Sequence, residues 1–264
     1  MVSRFFRAAG IGSLAGALSG LIAGGIGGRI AMRIVAIVAG PDKIGLTTDN
    51  GNRVGDVTLE GTVGLALFGG VFAGILGGLV YETVRPWFAS FGRWQGLVFG
   101  LALLAALASL IITPDNVDFR RFGSPALNVL LFALLFILYG VVLAPIEERL
   151  RKAVPELPTR PRGIRATIAE AAVILALLPA GLLVVSGIVE LVSLARGPLD
   201  ASALGPILIL LLVLMVLALR WLLDRREPAP EGRTGVGALG YAVLAVPIAV
   251  GAVESLRAIG TILR

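Results

Sequence analysis

Four charged residues stand inside otherwise apolar stretches of the chain, and they are the first candidates for chemistry. Arg29 and Arg33 are one helical turn apart, while Glu190 and Glu254 each close a Gly-x-Val-Glu pattern. A charge inside a membrane span costs at least about 2.5–3.5 kcal/mol by insertion scales, so it needs a partner or a purpose. We therefore expect these four residues to meet at one depth of a membrane domain.

Such a cluster has a structural and a functional interpretation. In the structural one the opposite charges neutralise each other as a buried latch, or Glu254 simply pairs with Arg257. In the functional one the arginines bind an anionic group in a cavity that opens outward, a glutamate exchanges protons or coordinates a cation, and Asn128 lines the same cavity. Pro179 and Pro247 favour the cavity, because each breaks its helix before the glutamate.

Missing residue types exclude much other chemistry. The chain contains no cysteine and no histidine, which rules out disulfides, iron–sulfur clusters, zinc sites built on those ligands, and triads that use them. The segment Asp49–Glu60 has the length of an EF-hand loop, but Gly51 and Arg53 stand where oxygen ligands belong and Val54 where glycine is needed. We expect no metal, no cofactor and no enzymatic activity.

Glu147 and Glu148 are adjacent glutamates at the end of an apolar run. The stretch Leu143–Lys152 resembles the first glutamate motif of the intramembrane CAAX-type proteases, in which paired glutamates are followed by an aromatic residue and an arginine. Arg151 and Lys152 occupy those two places, and the chain has none of that family's histidines. The interpretation we adopt is that Glu147 and Glu148 end a helix and pair with Arg151 and Lys152 four residues on.

Composition identifies the elements that must position these residues. Hydrophobic residues make up 57% of the 264 positions and charged residues 15%, far from the balance of a soluble domain. Apolar runs of about 18 residues or more can cross a bilayer as helices. We predict an all-α bundle in one transmembrane domain, 1–264, with a retained signal anchor at its start. The predicted spans are 8–39, 61–82, 96–113, 125–146, 166–195, 203–223 and 235–258.

Orientation and loops follow from charge. With the N-terminus inside, the inner segments hold 14 lysines and arginines and the outer segments 7, which predicts a cytoplasmic N-terminus and an extracytoplasmic C-terminus in a cell membrane, the bacterial inner membrane. Glu82 then lies near the inner end of its span, where water can solvate its charge or Arg85 can pair with it. The outer loop 40–60 is predicted to form a short β-hairpin around Asn50–Gly51. Residues 30–39 either continue helix one or form a re-entrant piece.

Two rows of glycine run along the first two predicted spans. At four-residue spacing they lie along one stripe of a helix, where a second backbone can approach closely. This favours packing of the two spans against each other, with self-association or sliding during gating as the alternative. The rows are Gly12, Gly16, Gly20, Gly24 and Gly28 in the first span, and Gly70, Gly74 and Gly78 in the second.

Two functions compete on these observations. The interpretation we adopt is a transporter or channel for a small ion or an anionic solute, which the charged cluster in the outer half of the membrane and the proline-broken helices favour. The glycine rows and the outer loop favour a non-catalytic membrane scaffold or assembly subunit. Expected partners are an anionic inner leaflet and a second copy or another membrane protein, because the positive charges are spread as topology signals and do not suit a nucleic acid.

Overall fold

The computed structural model describes residues 2–49, 51, 53–154, 164–194 and 234–264. These residues are almost entirely helical, and none of them forms a β-strand. The predicted all-α class is therefore confirmed for this part of the chain. The predicted span 203–223 lies outside it.

The described residues form six long helices and one single-turn helix, numbered in chain order, with short 3-10 turns between some of them. They are α1 (Val2–Gly20, Leu21–Gly27 and Gly28–Ala39), α2 (Leu59–Gly64, Leu65–Phe72 and Ala73–Phe88), α3 (Gln95–Leu107), α4 (Asp118–Arg121), α5 (Pro125–Ala153), α6 (Ile164–Leu194) and α7 (Thr234–Leu263).

Four helical stretches of the described residues are long and apolar enough to cross a membrane, which does not confirm the predicted seven. They are Phe5–Ala39, Leu59–Leu110, Pro125–Ala153 and Leu244–Leu263. The second stretch contains both α2 and α3, because the helical backbone between them is interrupted only at Gly92, where φ is 53°. In α6 the described side chains form a shorter apolar helix, Thr167–Leu183, and the apolar sequence continues beyond it to Val189. Hydropathy finds apolar runs but does not show how turns join them.

Helix α1 continues without a break to Ala39, so residues 30–39 belong to it. Its middle, Leu21–Gly27, widens into a π-helical turn. The helix ends where Gly40 takes a φ of 90° and Pro41 follows. Its 35-residue apolar stretch is about 50 Å long at 1.5 Å per residue, more than the roughly 30 Å of hydrocarbon it must cross.

The backbones of α1 and α2 touch along the two glycine rows. A Cβ atom added to Gly12 would lie 2.8 Å from the carbonyl oxygen of Gly78, and one added to Gly16 would lie 2.9 Å from the carbonyl carbon of Gly74. Real Cβ atoms do not approach this closely, so only glycine fits. The rows continue with Gly20 against Gly70, Gly24 against Gly69, and Gly28 against the Leu65 side chain. These contacts lie within one chain, and self-association stays a prediction.

We predict that Gly20→Ala destabilises the fold. The added Cβ would lie 2.8 Å from the Cα of Gly74, and overpacking of this kind lowers the free energy of unfolding by about 1–3 kcal/mol. Gly64→Ala is the matched control, because its Cβ would meet no atom within 4 Å and helix propensity favours alanine by up to about 1 kcal/mol. Thermal unfolding in detergent measures both, and equal effects would contradict the role of the contact.

The described residues of the loop between α1 and α2 contain no strand, so the predicted β-hairpin is not confirmed. It contains one isolated antiparallel bridge between Thr47 and Arg53. Two backbone hydrogen bonds flank the bridge, from Gly45 N to Val54 O at 2.9 Å and from Val54 N to Leu46 O at 2.9 Å. Gly45 has a φ of 83°, a left-handed conformation that does not continue a strand. The ladder therefore stops after one bridge.

This loop is fastened to the single-turn helix α4. The backbone N–H of Asp49 donates to both carboxylate oxygens of Asp118, at 2.9 and 3.1 Å. Arg121 donates from Nη1 to the carbonyl oxygen of Thr47 at 3.2 Å. Two hydrogen-bonding residues of α4 thus fix the position of the loop over this end of the helices.

We predict that acid stabilises the folded state, because protonation removes the partly buried charge of Asp118 even though it weakens the hydrogen bond from Asp49. Burial raises the pKa of the Asp118 carboxyl above its usual 3.8, partly opposed by the hydrogen bond from the Asp49 backbone. A raised pKa means that the folded state favours the protonated form, so the contribution is present at low pH and is lost as pH rises through the raised value. Asp118→Asn should therefore exceed the wild type in stability at neutral pH by less than about 1 kcal/mol after solvent screening.

The measurement is the difference in melting temperature between Asp118→Asn and the wild type, from pH 8 down to pH 4. We expect the difference to shrink with acidification as the wild-type carboxyl becomes protonated. A difference that grows with acidification would contradict the sign of the pKa shift.

Candidate functional site

The residues predicted to meet in one polar cluster have separate surroundings. Glu254 is exposed and accepts a hydrogen bond from Nη1 of Arg257 at 2.8 Å, which is the local pairing that the sequence allowed. The side chain of Glu190 lies outside the described residues. Arg29 is half-buried and Arg33 is exposed. Neither arginine makes an ion pair within the part of the chain that the structure describes.

Asn128 is also part of the predicted cluster, and the structure places it in a local cap. Its side chain is buried, and Nδ2 donates to the carbonyl oxygens of Phe119 at 3.0 Å and Phe122 at 2.6 Å. Phe122 packs in turn against Val54 of the preceding loop. Asn128 therefore joins the start of α5 to the end of α4.

An ion cluster does exist, at the other end of these helices. We use the term ion cluster for Glu82 and Arg85 of α2 with Glu147 and Arg151 of α5. Arg151 donates from Nη2 to both oxygens of Glu82, at 2.5 and 2.6 Å, and from Nε to Glu147 at 2.6 Å. Arg85 completes it, with its Nε 3.3 Å from the second oxygen of Glu147.

Burial makes this cluster different from a surface ion pair. The side chain of Glu147 is 0% exposed and that of Glu82 is 3% exposed, while Arg151 keeps 25%. Two carboxylates face two guanidinium groups, so the formal charges balance. Removing one partner from such an arrangement leaves an uncompensated buried charge.

Packing of the backbone brings these side chains together. Glu82 follows Gly78 by one helical turn, and its Cβ would lie 3.1 Å from a Cβ added to Gly12. The glycine contact thus holds α1 against the turn of α2 that carries Glu82. Glu147 and Arg151 are four residues apart on α5, on one face of the helix.

The start of α1 is attached to the same end of α5. Arg7 donates from Nε to the carbonyl oxygen of Val154 at 2.6 Å and from Nη2 to that of Arg151 at 3.1 Å, and its Nη2 also contacts Val154 O. The last carbonyl groups of a helix have no intrahelical partner and carry partial negative charge. An arginine from another helix satisfies them here.

Aromatic side chains close the core beside the ion cluster. Tyr81 packs edge-on against Phe99 with ring centroids 4.8 Å apart, and both rings are buried. Tyr139 donates its hydroxyl to the carbonyl oxygen of Gly74 at 2.7 Å. The Tyr81 hydroxyl is buried without a hydrogen-bond partner among the described residues, and the charges of Glu147 and Arg85 act on it.

Local sequence rules found part of this site. The predicted pairs Glu147–Arg151 and Glu148–Lys152 are confirmed, with N–O distances of 2.6 and 2.7 Å. For Glu82 the sequence suggested water or Arg85, and the structure shows that it binds Arg151 across the helix interface. No four-residue spacing signals a contact between α2 and α5, although charges of both signs at two neighbouring helix ends were visible.

The ion cluster has little capacity to bind a ligand, because its charged groups are already paired. Both guanidinium groups are paired with carboxylates, so the charges of the ion cluster neutralise each other. Among the described residues no group of three acidic side chains lies close enough to hold a metal ion. The arrangement joins α2 to α5, and Arg7 adds α1.

No protein-family model matches the chain, and no curated protein or solved structure shows detectable similarity to it. The class of protein therefore follows from the fold and the site alone. The described residues contain four helical stretches that by length and composition fit a membrane protein, together with a buried arginine–glutamate salt bridge.

We predict that Arg151→Ala strongly destabilises the protein. The substitution leaves Glu82 and Glu147 buried without their main partner, and breaking a buried ion pair costs about 3–5 kcal/mol; because Arg151 is 25% exposed, we expect the lower end of that range. Lys152→Ala is the matched control, since the Lys152–Glu148 pair is exposed and such pairs contribute about 0–1 kcal/mol. Comparable losses in thermal unfolding for the two variants would show that burial does not matter.

Proposed function

We propose that the protein is a non-catalytic membrane scaffold or assembly subunit. The observation that carries this proposal is the buried, charge-balanced ion cluster, which ties α2 to α5 while Arg7 ties α1 to the end of α5. Three helices are thus fixed to each other at one end. A rigid platform of this kind suits a protein whose role is to hold others in place.

The packing of α1 on α2 supports the same proposal. Alternating access needs one group of helices to move against another. Sliding α1 along α2 would drive the carbonyl group of Gly78 or Gly74 against the side chains that separate the glycines of α1. Opening the other interface would separate Glu82 from Arg151 and leave both charges buried. Both movements are costly.

Transport of an anionic solute is the second candidate. The observation that favours it is the buried Nε of Arg29, which has no hydrogen-bond acceptor among the described residues. An arginine side chain without a hydrogen-bond acceptor can donate hydrogen bonds to a transported anion. Of the two carboxylates predicted for that hypothesis, Glu254 pairs with Arg257, and the side chain of Glu190 lies outside the described residues.

A flux assay separates the two functions. The purified chain in liposomes should pass chloride and inorganic phosphate no faster than empty liposomes if it is a scaffold. Saturable flux that disappears in Arg29→Gln/Arg33→Gln would establish transport and overturn the scaffold proposal.

A second measurement tests the scaffold directly. Native electrophoresis of the source membranes should show the protein in a discrete complex larger than one chain. We expect Arg151→Ala to dissociate that complex and Lys152→Ala to leave it intact, because only the first substitution opens the ion cluster. A single-chain species in the wild type would contradict an assembly role.

A further inference from the structure

Two arginines at the far end of α1 have no counter-charge among the described residues. Arg29 and Arg33 are one turn apart, and neither has a carboxylate partner within the part of the chain that the structure describes. The Nε of Arg29 is buried and lacks a hydrogen-bond acceptor there. A charge in this position needs a counter-charge, and none of the described residues provides one.

The surface around these arginines is apolar and exposed. Ile26, Ile30 and Ile37 are 57%, 56% and 69% exposed. They follow one another at helical spacing, and Arg33 falls within their stripe. Exposed isoleucines on a membrane helix face lipid, so Arg33 is presented to lipid as well.

The ion cluster at the opposite end provides a depth scale along α1. Gly12 contacts the turn that carries Glu82, and Arg33 follows Gly12 by 21 residues. At 1.5 Å per residue this separation is about 30 Å, which equals the hydrocarbon thickness of a typical bilayer. With the ion cluster at one interface, Arg33 reaches the opposite one and Arg29 lies about one turn below it.

We propose that Arg29 and Arg33 bind the phosphate group of an anionic phospholipid in the leaflet next to the 40–58 loop. A guanidinium group offers paired N–H donors that match phosphate oxygens, and long arginine side chains extend toward the headgroups from within the hydrocarbon. Two positive charges in one turn favour an anionic lipid over a zwitterionic one. This site is independent of whether the protein is a scaffold.

Free phosphate shares this chemistry and is distinguished by the test. The apolar stripe around Arg33 favours the lipid, because acyl chains cover exposed isoleucines and a free anion does not. A soluble phosphate ion would instead require a watery approach to Arg29.

The experiment uses the full chain in neutral detergent. Phosphatidylglycerol, phosphatidylcholine or inorganic phosphate is titrated in, and bound lipid is counted by native mass spectrometry alongside the melting temperature. We expect retention of phosphatidylglycerol with a higher melting temperature, weaker binding of phosphatidylcholine, and no response to inorganic phosphate. The preference for phosphatidylglycerol should fall with added salt, because the attraction is between charges at the surface.

Three variants locate the site. Arg29→Gln/Arg33→Gln should lower the apparent affinity for phosphatidylglycerol by roughly tenfold or more, since each cation near an anionic surface contributes about 1 kcal/mol. Arg33→Gln alone should lose part of it. Arg53→Gln is the matched control, because this exposed loop arginine lies outside the site and should leave the affinity unchanged.

Several outcomes would overturn the proposal. Equal binding of the two lipids by the wild type would do so without any variant, even if the double variant fails to fold. Undiminished phosphatidylglycerol binding in a folded double variant would place the lipid elsewhere. Stabilisation by inorganic phosphate that competes with phosphatidylglycerol would assign the arginines to a free anion.

Discussion

Direct contact between the backbones of α1 and α2 is the constraint on which the rest of the structure depends. Inside a bilayer apolar side chains gain little by leaving lipid for protein, so helices associate through close packing and polar contacts. The glycine rows provide that packing, and Gly12 against Gly78 is the last step before Glu82. Because the backbones touch there, a carboxylate on α2 is buried where α5 can reach it with an arginine.

Charged side chains are therefore neutralised differently at the two ends of the helices. At the end with the ion cluster, Glu82 and Glu147 are matched by Arg151 and Arg85 within the chain. At the other end Arg29 and Arg33 have no carboxylate partner among the described residues, and Arg33 lies in a stripe of exposed isoleucines. The charges of the ion cluster neutralise each other within the chain. The charges of Arg29 and Arg33 instead depend on groups that surround the described helices.

Local rules of helix geometry predicted what lies within one helix. The pairing of Glu147 with Arg151 follows from a four-residue spacing, and that of Glu254 with Arg257 from a three-residue one. Contacts between helices were harder to predict, because membrane depth gives the level of a residue but not the direction in which it points. Arg29 and Glu254 could share a level and still face different surroundings.

The same limit applies to the fold. The helical class and most of the apolar runs followed from composition, and Gly92, with its φ of 53°, lies between the predicted spans 61–82 and 96–113. The 3-10 turn Ala89–Trp94 that joins the two helices there left no hydropathy signal. The predicted hairpin had suitable turn residues, but hydrogen bonds from Asp49 and Arg121 attach the loop to α4 and Asp118 instead of extending a ladder.

The distance along the chain between the partners of the ion cluster has a consequence for biosynthesis. Glu82 precedes Arg151 by 69 residues, and synthesis proceeds from the N-terminus at about 5–20 residues per second. For several seconds the nascent α2 therefore carries Glu82 before Arg151 has been made. Its place near the end of the helix lets water solvate the carboxylate during that interval. When α5 has been made, the guanidinium group of Arg151 replaces that water. Synthesis of α5, the third long apolar stretch, is therefore the step that fixes the first two stretches in their final arrangement.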